Sequence, residues 1–237
     1  MTAIATRPQP SPNRRRVESA SESTGTDPFE ERPFEADDLR PSHAREECDL
    51  AYRLSLKQYH AMIEQSIFSE NDPVEFVAGL LVKKMPQKPL HSYVIRQLIA
   101  KLKAMISEEW LVDTQLPIQA NDSEPEPDVC VIVGPTNRYV TRHPGSGDVM
   151  LVVEVADTSL KFDREVKRQV YASMKVPNYW IVNLTDRVIE TFQQPNDDAA
   201  YQYSQTSNDS DKLEVVINGR SVGTLVVSEI LPPQLNA

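Results

Sequence analysis

Apolar and polar positions change rhythm several times along the chain. Between residues 54 and 68, Tyr59, Met62, Ile63 and Ile67 recur at helical spacing and predict an amphipathic helix that ends at "NDP", 71–73. "VEFVAGLLVKKMP" reads as two short strands about a turn near Gly79. The rhythm is helical again in "HSYVIRQLIAKLKAMISEEW", where Val94, Ile95, Leu98, Leu102, Met105 and Ile106 form the side that seeks a core. "LVDTQLPIQA" reads as a short strand. Two unbroken apolar runs follow, "VCVIV" from Val129 and "VMLVVEVA" from Val149, separated by the loop "NRYVTRHPGSGD". Both have the length and β-branching of buried strands. "FDREVKRQVYASMK" is helical, "NYWIVNL" and "DRVIETFQQ" are strands, and "KLEVVI" and "TLVVSEIL" are expected to finish the chain as edge strands. Strands alternating with helices predict an α/β fold with a central mixed β-sheet flanked by helices.

Residues 1–45 lack this periodicity and are rich in Pro, Ser, Arg and acids. Such a segment cannot bury enough surface to offset its ordering entropy, so a disordered or loosely attached tail is expected before a folded domain at 46–237. "RRR" at 14–16 reads as solvated tail charge. No apolar run approaches the roughly 18 residues of a membrane span, and the N-terminus has no secretory h-region. A cytoplasmic protein with no membrane association is the expectation. Net charge is -10, and residues 1–50 hold eleven acids against seven bases. An acidic body argues against coating nucleic acid by bulk electrostatics, but it leaves room for a locally basic groove. Cys48 and Cys130 make no metal-type pair, and Cys130 reads as a small core residue. His43, His60, His91 and His143 are scattered, so no zinc site is expected.

The candidate chemistry lies on the two apolar strands, each of which carries one acid. In "SEPEPDVCVIV" the prolines hold extended chain directly before the apolar run, and Asp128 sits at its mouth. Glu154 lies inside "LVVEV". A carboxylate in such a place costs free energy unless something pairs with it. Two brought together would repel, and a divalent cation relieves that repulsion. Magnesium fits, because it needs only one or two protein carboxylates and keeps its waters. Manganese is the expected substitute. Farther along, Asp163, Lys167 and Tyr171 fall at i, i+4 and i+8 and share one helix face. Spacing alone leaves two readings open. One is an exposed Asp–Lys pair worth a few tenths of a kcal/mol, with Tyr171 turned to the core; the other is a lysine aimed into a site.

Three stretches together, "YHAMIEQSIFSENDPVEF", "SEPEPDVCVI" and "RHPGSGDVMLVVEVADTSLKFDREVKRQVYASMKVPNYWIVNL", resemble the Uma-type restriction endonuclease family of the PD-(D/E)XK nuclease superfamily. The resemblance runs from about residue 54 to "SEILP". It implies a restriction-endonuclease-like core and magnesium-dependent hydrolysis of DNA phosphodiester bonds. It makes Asp128 and Glu154 the catalytic acids and metal ligands. Ala156 stands where the superfamily carries its lysine, and the resemblance puts Lys167 on the following helix in its stead. Glu75 in "VEF" matches the upstream acid and would hold a water of the metal shell or a helix-end hydrogen bond. Asp163 would orient Lys167 or simply pair with it. His91 matches the histidine that opens the second helix. Leu80 and Met85-Pro86 depart from the pattern, away from the central acids. Double-strand cleavage would call for a homodimer. Two alternatives from other classes are a catalytically inactive nuclease-fold module with a binding or regulatory role, and an interaction protein whose acidic tail binds a basic partner.

Overall fold

Helix α1, Leu56–Glu64, begins where Ser55 and Gln58 form a capping box: Gln58 N–H donates to Ser55 Oγ and Ser55 N–H to Gln58 Oε1. The computed structural model of the protein describes residues 51–69 and 72–233. The expectation for residues 1–45, like Cys48, lies outside them. The apolar stripe expected on α1 is buried only at Tyr59, which stacks on Phe76 with ring centroids 4.6 Å apart. Ile63 is 42% exposed, because the helix rests on a two-stranded hairpin too narrow to cover its whole apolar side. Ile67, 56% exposed, lies past the helix end at Glu64, which comes well before the expected stop at "NDP". With so little burial, the cap matters to α1. Ser55→Ala should lower stability by about 1 kcal/mol in a urea melt; an unchanged midpoint would mean the cap is not formed in solution.

That hairpin joins β1, Val74–Val77, to β2, Leu80–Lys83. Its turn sits at Ala78 and Gly79, both at positive φ, as the sequence suggested. Gly79 is required twice over, since a Cβ there would lie 2.8 Å from Arg53 Cβ. Helix α2, Pro89–Met105, has Pro at its first turn and buries Val94, Ile95, Leu98 and Leu102, while Met105 and Ile106 reach only the rim of the core.

The main sheet has six strands in the order β3–β8. They are β3 (Trp110–Asp113), β4 (Val129–Val133), β5 (Val149–Ala156), β6 (Asn178–Asn183), β7 (Val188–Pro195) and β8 (Tyr201–Asn208). All neighbours run antiparallel except β5 and β6. A parallel pair needs a crossover, and here it is helical: α3 (Leu160–Phe162), a π turn (Asp163–Lys167) and α4 (Arg168–Ser173). The fold is thus the expected mixed sheet flanked by helices.

Two expectations need correction. "KLEVVI" and "TLVVSEIL" do not edge the sheet. Lys212–Ile217 (β9) and Arg220–Val226 (β10) pair with each other as a separate antiparallel hairpin, because their apolar side chains are needed to cover a sheet face. The sheet edges are β3 and the unanticipated β8. Alternation along β5 splits the core in two. Leu151, Val153 and Val155 pack with α2 and the β9–β10 hairpin, whereas Val152 and Ala156 pack with Val170 and Tyr171 of α4 and with Val77 of β1. Cys130 is buried in this second core, as read from its strand. Among the described residues, no helix is long and apolar enough to cross a membrane.

Candidate active site

The segment before β4 brings distant residues together. Pro125 and Pro127 have no N–H, and their carbonyls accept from Ile118 N and Gln115 N at 2.9 Å each. The donors of the alternate residues point the other way, toward β1. Glu124 N–H donates to Phe76 O at 2.7 Å, and Glu126 N–H donates to Glu75 Oε1 at 2.7 Å. The acid–proline repeat is therefore an extended connector with one acceptor edge and one donor edge. It sets Glu75 and Asp128 on the same side of the fold.

Asp128, at the mouth of β4, accepts two hydrogen bonds on Oδ2: from Val155 N–H at 2.8 Å and from His91 Nε2 at 3.1 Å. A carboxylate only accepts, so His91 carries a proton on Nε2 toward it. Among the described residues, His91 Nδ1 is buried without a partner. Glu154, in the middle of β5, shares the sheet face of Val152 and Ala156 and is buried. It also accepts two bonds on a single oxygen, Oε1: Lys167 Nζ at 3.0 Å and Tyr171 Oη at 2.6 Å. Lys167 bridges on to Glu75 Oε1 at 3.1 Å. Glu75, Glu154, Asp163 and Lys167 are all less than a tenth exposed.

The structure thus brings Glu75, Glu154 and Lys167 into direct contact and sets Asp128 on the strand beside Glu154. Asp163 is placed differently from its expected pairing. Its Oδ2 accepts from Ser159 Oγ at 2.7 Å, and the Lys167 ammonium bonds to Glu154 and Glu75 instead. The exposed Asp–Lys helix pair does not exist, because both residues lie in the buried π turn. Neither does Glu75 cap a helix; its partners are the Glu126 backbone and Lys167. Sequence reasoning missed the bond of Tyr171 to Glu154, although its spacing from Lys167 had already placed it on that face. It also missed Tyr179, whose hydroxyl donates to Asp163 O at 3.1 Å and pins the π turn to β6.

Four carboxylates around one ammonium make the cluster electrically lopsided. Burial pushes Glu154 well above the usual carboxylate range, Lys167 opposes that, and repulsion from Asp128, Asp163 and Glu75 adds to it. Burial likewise pushes Asp163 up to about 6, against Lys167 and the Ser159 hydrogen bond. For Lys167, burial favours the neutral amine, yet Glu154, Glu75, Asp163 and Asp128 outweigh it and hold the ammonium well above its ordinary value. Among the described residues no three or more ligand-type side chains close around one point as in a structural metal site. Magnesium does not need such a cage. Among the described residues, the hydrogen bonds to the central acids fall on Asp128 Oδ2 and Glu154 Oε1, and none falls on Asp128 Oδ1 or Glu154 Oε2. The donor set fits magnesium. Two surface clefts, one beside Trp110 and Pro135 and one beside His60 and Glu64, contain none of these side chains.

The family model Uma2, described as "Putative restriction endonuclease", matches residues 56–225. The chain belongs to this family. The Uma2 match spans every residue of the cluster, from Glu75 to Tyr171. A crystal structure from Anabaena variabilis ATCC 29413, described as "a putative nuclease belonging to DUF820", is similar with a TM-score of 0.54 and 11% identity, covering 71% of this chain and 96% of that chain. At that identity the likeness concerns the fold alone. No curated protein matches the chain.

Proposed function

We propose that this Uma2 protein is a magnesium-dependent endonuclease that hydrolyses DNA phosphodiester bonds. The carrying observation is a buried lysine 3.0 Å from a strand carboxylate, on the same face of the fold as a second strand acid. Asp128 and Glu154 would hold the ion. Bound magnesium supplies charge at the phosphate and lowers the pKa of a coordinated water. Lys167, held charged by its acidic neighbours, carries the positive charge that meets the negative charge developing on the phosphate oxygens. Glu75, itself fixed by the Glu126 backbone, aims that ammonium. His91 and the Val155 amide hold Asp128 in place. Cutting both strands of a duplex requires two such sites, which a homodimer would supply.

The test is a calorimetric titration of the full chain with manganese, followed by plasmid nicking in magnesium. Asp128→Asn and Glu154→Gln should each weaken manganese binding at least roughly tenfold, in line with the loss of a metal ligand or its close support. Unchanged affinity in both variants would move the metal elsewhere. Manganese binding without cleavage of any nucleic acid would favour the inactive binding module.

A further inference from the structure

Glu154 is gripped at one oxygen by two donors of different character. Lys167 is a point charge that Glu154 shares with Glu75, at 3.0 and 3.1 Å, so it attracts the carboxylate without setting its plane. Tyr171 adds a single directional O–H bond at 2.6 Å to that same oxygen. The phenol is fully buried, and burial followed by the charge of Glu154 keeps its proton on well beyond the usual phenol range. Its ring cannot swing away, because it lies against Tyr179 with centroids 5.0 Å apart and planes tilted by 52°. A rigid ring on α4 therefore fixes a carboxylate on β5.

We propose that Tyr171 is a positioning residue: by anchoring Glu154 through Oε1 it leaves Oε2 as the oxygen that takes a divalent cation. This rests on the reading of Glu154 as a metal ligand. A tyrosine that merely needed an acceptor for its buried hydroxyl would leave the same bond but would not govern cation binding. Outer-shell partners that orient a metal ligand typically change metal affinity by roughly 10–100-fold when removed.

Tyr171→Phe deletes the hydroxyl and keeps the ring. Tyr201→Phe serves as its control, since it removes another hydroxyl from the same aromatic cluster, one that donates to Val176 O at 3.0 Å. Crystal structures of the metal-free wild type and Tyr171→Phe should show the Glu154 carboxylate rotated in the variant. Manganese titration of the full chain should show roughly 10–100-fold weaker binding in Tyr171→Phe and wild-type affinity in Tyr201→Phe. An unmoved Glu154 overturns the proposal, as does wild-type affinity in Tyr171→Phe or an equal loss in both variants. Manganese binding that survives Glu154→Gln, or is absent from the wild type, overturns the metal assignment instead. In that case a rotated Glu154 in metal-free Tyr171→Phe still supports its positioning by Tyr171.

Discussion

Lys167→Ala should cost about 3–5 kcal/mol of stability near pH 8, the order expected when one partner of a buried ion pair is removed. An exposed helix pair would have cost only about 0.2–0.5 kcal/mol. The difference arises because Lys167 Nζ lies between Glu75 and Glu154, with all three side chains less than a tenth exposed. Without the ammonium these carboxylates keep their burial and their mutual repulsion, and lose the charge that offset both. Glu154, already raised by burial and lowered by Lys167, responds by holding its proton more tightly. A carboxyl whose folded pKa is raised contributes stability that is present below its unfolded pKa and lost as pH rises through the folded one. The deficit of Lys167→Ala relative to wild type should therefore shrink toward pH 5 and widen toward pH 8. Urea melts at the two values measure it, and an equal deficit at both would mean the lysine contributes packing rather than charge. Cleavage, assayed where the variant is still folded, should fall roughly a hundred- to a thousandfold, as when a preorganised charge is lost from a transition state. Lys167→Arg should recover only part of it, because a planar fork does not place its charge where an ammonium does. Full nicking by folded Lys167→Ala would end the catalytic reading of this residue.

What the sequence disclosed follows from where physical cost is local. β4 and β5 could be read from their apolar runs, and β5 begins and ends where the run does, because a strand buried on both faces tolerates little else. β8, "YQYSQTSN", could not. It lies at a sheet edge with most side chains in solvent, so neither an apolar run nor alternation marks it. β9 and β10 were legible as strands, but their choice of each other over the sheet is a long-range packing decision. The site divides in the same way. Asp128 and Glu154 stood out because a carboxylate on an apolar strand demands compensation. That Glu75 partners Lys167 did not stand out, since Glu75 arrives on a distant hairpin. Nor did the π turn, which carries both Asp163 and Lys167 and is a feature often found at functional sites. Ala156, which the resemblance set at the usual lysine position, is fully buried in one apolar cluster with Val170 and Tyr171 of α4. The ammonium that reaches Glu154 comes from Lys167 in the π turn, at 3.0 Å.

Asp163→Asn should stabilise the metal-free protein above pH 6. Burial raises the Asp163 carboxyl from an ordinary 3.8 to about 6, with Asp128 and Glu75 adding repulsion while Lys167 and Ser159 only partly compensate. The sign follows from linkage. The folded state binds this proton more tightly than the unfolded chain, so the group's contribution is full below pH 3.8 and is lost as pH rises through about 6. At about 1.36 kcal/mol per pKa unit, the stability lost by pH 8 is on the order of 3 kcal/mol. An asparagine has no proton to lose and can still accept from Ser159 Oγ through its amide oxygen. Its stability should therefore change less between pH 4 and 8 than that of wild type, with the variant ahead at the alkaline end. Thermal melts across that range measure the two curves. Parallel curves would show that Asp163 ionises in the fold as easily as in the unfolded chain, through a stronger hold from Lys167. A flatter curve for the variant would show a carboxylate kept in place against the interest of stability. That is the expected signature of a group held for charge in a site rather than for packing.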